Sequence, residues 1–252
     1  MPVIYGLHAV EEALKARRRA FEYVVVANGR RDGRIEHLVA ACRTAGVAVR
    51  FEPRNQLDRL AGTAAHQGVA AVTASKQYCD VEDILAERRG KHAFVVVLDG
   101  VEDPHNLGAV LRTADAAGAD GVLVPERRAV GVTATVAKVS AGASEHLRIA
   151  RMANTARTLE ELKAKNLWIV GLDERAPQPY DAVDYRMDCA LVLGSEGKGM
   201  HDLVRRKCDF LVSIPVLGAV PSLNVSVAAA VVMYELVRQR KNAGAASSPP
   251  AR

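Results

Sequence analysis

Three segments of this 252-residue chain combine residue types that can do chemistry. The first, LDGVEDPHNLGAVLRTADAAG at 98–118, sets Asn106 behind an Asp-Pro turn and Arg112 mid-helix. Asn106 is well placed as an N-cap, and Gly118 can end the helix in a left-handed conformation. Arg112 falls between Leu111 and Ala114 on a helix that reads as largely buried. A lone buried charge costs several kcal/mol, so either a bound phosphate or carboxylate, or an internal acid, is expected beside it.

The second segment, LVLGSEGKGM at 191–200, carries Gly194, Gly197 and Gly199 between an apolar run and a helix. Glycine there lets backbone approach a ligand closely. The segment lacks the GxxxxGK[ST] of a phosphate-binding loop and fails the GxGxxG test, which makes a nicotinamide-dependent dehydrogenase remote. Glu196 inside the turn would repel a pyrophosphate, yet it suits a sulfonium cation or an arginine across the site. In the third segment, IPVLGAVPSLNVSVAAAVVMYELVRQR at 214–240, Pro215, Gly218 and Pro221 enforce an irregular loop before a long helix. Capping explains one of Ser222, Asn224 and Ser226, not all three.

These segments must be positioned by a scaffold. From Ala93 onward, short apolar runs (93–98, 121–124, 167–171, 190–193, 210–214) alternate with helices near 107–117, 155–165, 200–207 and 224–240. That alternation predicts an α/β fold with a parallel sheet covered on both faces. The last helix is apolar nearly all round from Val225 to Met233, which predicts burial between layers. In such sheets ligands collect at strand carboxyl ends, where all three segments begin. The first 75 residues read as a separate α/β unit, with helices at 8–18 and 34–45 and strands at 23–27, 47–51 and 68–73. Residues 76–92 read as a linker, 93–241 as the second domain and 242–252 as a disordered tail.

Composition narrows the classes. Residues 1–75 hold 11 Lys+Arg against 7 Asp+Glu, and the remainder 23 against 22, so the excess of basic charge lies at the N-terminus. A polyanion-binding module joined to a near-neutral domain has that asymmetry, as does ordinary surface charge. No apolar run approaches the roughly 20 residues of a membrane span, and the N-terminus has the wrong order for a secretory signal, so a cytoplasmic protein is expected. Cys42, Cys79, Cys189 and Cys208 are widely spread without a CxxC pair and read as reduced, mostly buried thiols. No metal site is expected.

Taken in order, the three segments resemble the three motifs of the SpoU (TrmH) family of SPOUT methyltransferases, over about residues 93–240. IYGLHAVEEAL at 4–14 and HQGVAA at 66–71 resemble that family's L30e-like substrate-binding domain, and AKVSAGASEH at 137–146 is similar to its 23S rRNA guanosine 2′-O-methyltransferases. The resemblance implies a trefoil knot formed by the second and third segments, S-adenosyl-L-methionine (AdoMet) as cofactor, and a homodimer through the C-terminal domain. It implies that Gly194, Gly197, Ile214 and Leu223 hold the cofactor. Asn106, Arg112, Glu196, Ser222 and Asn224 match catalytic and RNA-contacting positions. The implied substrate is the 2′-hydroxyl of a guanosine in 23S rRNA; a tRNA ribose methyltransferase and a non-catalytic ribosome-assembly protein are the alternatives.

Overall fold

The apolar runs become the strands of two sheets in a computed structural model that describes residues 1–30, 32–127 and 129–245. Up to residue 77 the elements are β1 (Val3–Tyr5), α1 (Leu7–Ala16), β2 (Phe21–Ala27), α2 (Gly33–Thr44), β3 (Ala48–Glu52), α3 (Arg54–Ala61) and β4 (Val69–Thr73). Next come α4 (Val81–Ala86), β5 (Phe94–Asp99), α5 (Pro104–Ala116), β6 (Gly121–Pro125), α6 (Ala134–Val139) and α7 (Ala143–His146). The rest is β7 (Arg148–Met152), α8 (Thr155–Ala164), β8 (Trp168–Leu172), β9 (Gln178–Pro179), β10 (Cys189–Gly194), α9 (Asp202–Lys207), β11 (Phe210–Ser213) and α10 (Val225–Ala245).

The chain forms two compact units. The first joins Met1–Gln77 to Gly131–His146, and the second begins at Tyr78, breaks off at Val130 and resumes at Leu147. In the first, the strand order is β1-β4-β2-β3, with β4 antiparallel to its neighbours and β2 parallel to β3. Leu7, Val10, Val24, Val26, Leu38 and Val69 meet in its core. Asp32 starts α2 by accepting from the amides of Arg34 and Ile35. The sequence reading lacks β1, three residues long, and α3, an eight-residue helix that fully buries only Leu57.

Two expected boundaries shift. Residues 131–146 do not continue the second domain. Ala137 enters the first unit's core, and Glu145 receives Arg19 Nη2 at 2.7 Å and Nε at 2.9 Å, with side chains only 1% and 4% exposed. The expected linker also folds. Asp80 and Asp83 form a capping box at the start of α4, and Ile84 is fully buried with Val95, Leu123 and Ala150 of the second unit.

The second unit holds a seven-stranded parallel sheet in the order β7-β6-β5-β10-β8-β11-β9. β5 and β10 are buried at every position, as strands covered on both faces must be. β10 inserts between β5 and β8 although it follows both in sequence. Its register pairs Gly194 with Asp99 and Leu193 with Leu172, while Val212 of β11 pairs with Leu172. The carboxyl ends of β5, β10, β8 and β11 are thereby neighbours. At the opposite end, Arg240 of α10 donates to the carbonyls of His92, Ala93, Tyr185 and Met187, clipping the helix to the starts of β5 and β10.

The helix α10 is less enclosed than its apolar sequence predicts: Val227 and Tyr234 are 50% and 53% exposed. It also runs to Ala245, so the first four residues of the expected tail are helical, and 246–252 lie outside the described residues. Among the described residues no helix is long and apolar enough to cross a membrane.

Candidate active site

Helix α5 follows the carboxyl end of β5. Its N-cap is Asp103, which accepts from the amides of His105 and Asn106 at 3.2 Å, with Pro104 in the first turn. Asn106 is therefore not the cap that the sequence predicts. Its side chain, nearly buried, is left to accept a hydrogen bond from elsewhere. Arg112 corrects a second expectation. Leu111 and Ala114 are buried, but Arg112 points off another face, exposed, and no acid of the described residues pairs with it. Its Cα is roughly 9 Å along the helix axis from that of Asn106, at 1.5 Å per residue, and its exposed guanidinium is available to an outside anion.

The turn after β10 is a narrow loop closed by two reciprocal hydrogen bonds between Ser195 and Gly199, each 3.0 Å. Glycine at 194 is obligatory: a Cβ there would sit 2.2 Å from the carbonyl carbon of Gly199 and 2.3 Å from the amide nitrogen of Met200. Gly197, at the tip, has φ 75°, in the left-handed region. The loop's exit is held by buried Asp99, the last residue of β5, which accepts from the His201 amide at 2.8 Å and meets its Nδ1 at 3.0 Å.

Asn224 ties the three segments together. Its Oδ1 caps α10 by accepting from the amide of Ser226 at 2.9 Å and from its hydroxyl at 2.6 Å. Its Nδ2 donates to Asn106 Oδ1 at 2.9 Å and to Glu196 Oε1 at 2.5 Å. Beside this junction is a hollow of about 440 Å³, within the usual range for small-ligand sites. Gly194, Glu196, Gly197, Ile214, Ser222, Leu223 and Asn224 all line it; Asn106 and Arg112 do not.

The loop after β8 completes the wall with Asp173, Glu174 and Arg175, which sequence reasoning missed. The signal was an acidic-basic run, LDER, directly after a predicted strand, unremarkable without the strand order. Buried Asp173 accepts from the Arg175 backbone at 2.9 Å, its guanidinium at 3.1 Å, and Arg205 Nε at 2.7 Å. Burial alone would raise this carboxyl, but the hydrogen bonds from Arg175 and Arg205 outweigh it and hold it below the usual range. With Glu174 and Glu196, the lining carries three carboxylates against Arg175 and Lys198, a surplus of one negative charge.

No disulfide forms. Burial pushes the thiols of Cys42 and Cys189 up to about 11 and that of Cys208 to about 12. Among the described residues no group of three or more His, Cys, Asp or Glu is placed to hold a metal ion.

Fold and site together define an α/β protein that receives a small ligand where the loops of a parallel sheet converge, with a separate basic α/β unit attached. The chain belongs to the SpoU rRNA methylase family, whose model matches residues 93–234. Residues 3–79 match the model for RNA 2′-O ribose methyltransferase substrate binding. The chain is 45% identical to the putative TrmH family tRNA/rRNA methyltransferase YacO of Bacillus subtilis (strain 168), over 96% of this chain and 97% of that protein. It is 43% identical to a putative TrmH family tRNA/rRNA methyltransferase of Staphylococcus aureus (strain COL), over 96% and 98%. Among solved structures, an RNA 2′-O ribose methyltransferase superposes with TM-score 0.78 at 30% identity, over 95% of this chain and 88% of that one. The SpoU methyltransferase AviRb of Streptomyces viridochromogenes, solved with AdoMet, shares the fold at TM-score 0.79 and 23% identity, over 95% and 90%.

Proposed function

We propose that this protein transfers a methyl group from AdoMet to the 2′-hydroxyl of a guanosine in 23S rRNA, in the cytoplasm and as a homodimer. The observation that carries the reading is the junction at Asn224, which gathers Asn106, Glu196 and the start of α10 at the rim of one hollow. The hollow fits the cofactor. Leu193, Ile214 and Leu223 offer apolar surface for an adenine, Gly194 brings backbone close, and the single negative surplus matches a ligand with one net positive charge.

When bound, AdoMet supplies a methyl group already activated on its sulfonium. The protein must then align the ribose and manage one proton. Arg112 clamps the neighbouring phosphate and stabilises the alkoxide developing on the ribose oxygen. An arginine stays protonated, so the leaving proton goes to another acceptor. Glu196, on the lining of the hollow, would offer its carboxylate to the sulfonium, and Ser222 and Asn224 would hold the ribose or the cofactor. The trefoil knot expected of the second and third segments would fix their loops around the cofactor. Val227 and Tyr234 on α10, with half-buried Val231 between them, form an apolar stripe at helical spacing for a second copy of the chain. Analytical ultracentrifugation of wild type and Val227→Glu tests that contact.

The resemblance of residues 137–146 to 23S rRNA guanosine methyltransferases favours rRNA; the tRNA/rRNA methyltransferases to which the chain is similar keep tRNA as the second reading. Mapping 2′-O-methyl sites in both RNAs from cells lacking the gene decides between them. Arg112→Ala is expected to lower methyl transfer at least about 100-fold, the loss seen when one charge-stabilising donor is removed, with AdoMet affinity within twofold of wild type by calorimetry. Wild-type turnover in that variant would remove Arg112 from the mechanism.

A further inference from the structure

The first unit has its own pair of hollows, at the carboxyl ends of its two parallel strands. One, about 490 Å³, lies between α2 and β3 and is walled by Ile35, Val39, Arg43 and Phe51, with one carboxylate, Glu36, against Arg30 and Arg43. The other, about 540 Å³, is bounded by His8, Arg34, Arg54 and Gln67. They share Asn28, Gly29 and Arg30, so they lie side by side on one face of the unit. Arg30 is paired with Asp32 at 2.9 Å, but Arg34, Arg43 and Arg54 have no carboxylate partner among the described residues. Phe51 stands 54% exposed on β3, an edge strand with β2 on one side only, and belongs to no cluster of the core.

An exposed phenyl ring among unpaired guanidinium groups has no use in holding this unit together. It matches what a single-stranded nucleic acid presents: base faces that stack on an aromatic ring, and phosphates that pair with arginine. A duplex hides its base faces and gains only the charge. We propose that this face binds an unpaired stretch of RNA, one base stacked on Phe51 and the adjacent phosphates on Arg34, Arg43 and Arg54. The proposal rests on the RNA methyltransferase reading and extends it to the form of RNA that the first unit grips.

The test uses the full-length protein and a fluorescein-labelled, unstructured 12-nucleotide RNA, with the matching 12-base-pair duplex as competitor. Phe51→Ala is expected to weaken single-strand binding about 5- to 100-fold, the effect of losing one base–aromatic stack, and Phe51→Trp to restore it. Arg34→Gln combined with Arg54→Gln should lower the slope of log affinity against log salt by about 1.4, at about 0.7 per phosphate contact. Far-UV circular dichroism and AdoMet calorimetry accompany each variant; if Phe51→Ala disturbs the fold, the exposed arginine pair decides. Equal affinity for duplex and single strand, or variants that bind as tightly as wild type, would overturn the proposal. Wild type that neither binds AdoMet nor methylates rRNA would instead overturn the methyltransferase reading on which it stands.

Discussion

Both units place their candidate sites at the carboxyl ends of parallel strands, from different materials. In the second unit glycine backbone and apolar side chains share the wall with three carboxylates and two cations, and Glu196 is held with Asn106 through Asn224. In the first, the walls carry long arginines from α2, α3 and the loop after β2, three of them without a carboxylate partner among the described residues. A site of backbone is fixed in shape and selects one small molecule. A site of flexible cations tolerates varied geometry and selects a polymer by charge and stacking. The comparison teaches that changes in the second unit should act all-or-none on cofactor binding, while those in the first should be graded.

The largest effect on cofactor binding is expected from Gly194→Ala. The added methyl group overlaps the Gly199–Met200 peptide, which cannot swing aside as a side-chain end can. AdoMet affinity should fall at least ~100-fold, or about 2.7 kcal/mol, by calorimetry on protein whose melting shows it folded. A fall of only a few-fold would mean that the loop is soft and the contrast misplaced.

Next is Glu145→Ala, which leaves Arg19 buried without its partner and should cost the first unit about 3–5 kcal/mol. The chain has one tryptophan, Trp168, on β8 of the second unit. Urea unfolding followed by far-UV circular dichroism should therefore begin earlier in this variant, while the Trp168 fluorescence transition stays in place. A fluorescence transition that moves equally would show the two units to be energetically one.

The comparison also explains what could be read from residues alone. The five apolar runs locate β5, β6, β8, β10 and β11 to within a residue or two, because a strand buried on both faces leaves a continuous signal. β7, whose apolar run in RIARM is broken by two arginines, escaped, as did two-residue β9. Strand order is not periodic, so the insertion of β10 between β5 and β8 was invisible, and with it the approach of Asp173 and Arg175 to the hollow. The same blindness misplaced residues 131–146: nothing local in AKVSAGASEH tells that Glu145 meets Arg19, 126 positions earlier. For Asn106 the obstacle was different. Asp103 and Asn106 are both good caps, and only the coordinates show that Asp103 takes that role and frees Asn106 for Asn224.

Asn224→Ala should have an intermediate effect. It removes one neutral and one charge-assisted hydrogen bond from the junction and leaves Glu196 to solvent, which is worth about 1.5–3 kcal/mol, or roughly 10- to 100-fold in AdoMet affinity. Asn224→Asp should be worse than alanine, because it sets a second carboxylate against Glu196. An aspartate variant that binds as wild type would mean that the amide donates to neither neighbour in solution.

The smallest effect concerns Asp173, the buried member of the charged groups that line the second unit's hollow. Its carboxyl is held below the ordinary 3.8 because the hydrogen bonds from Arg175 and Arg205 outweigh the burial that would raise it. A group whose folded value is depressed contributes stability that is present above the unfolded value and is lost as pH falls through the folded one. Wild type should therefore be more stable than Asp173→Asn at pH 6 by a modest margin, since Arg175 is mostly exposed and screened. The margin should narrow as pH falls below about 3.8, as the wild-type carboxyl takes up its proton. Urea midpoints of the two proteins at pH 6 and pH 3 measure it. A gap equal at both values would show that the two arginines hold Asp173 by shape alone.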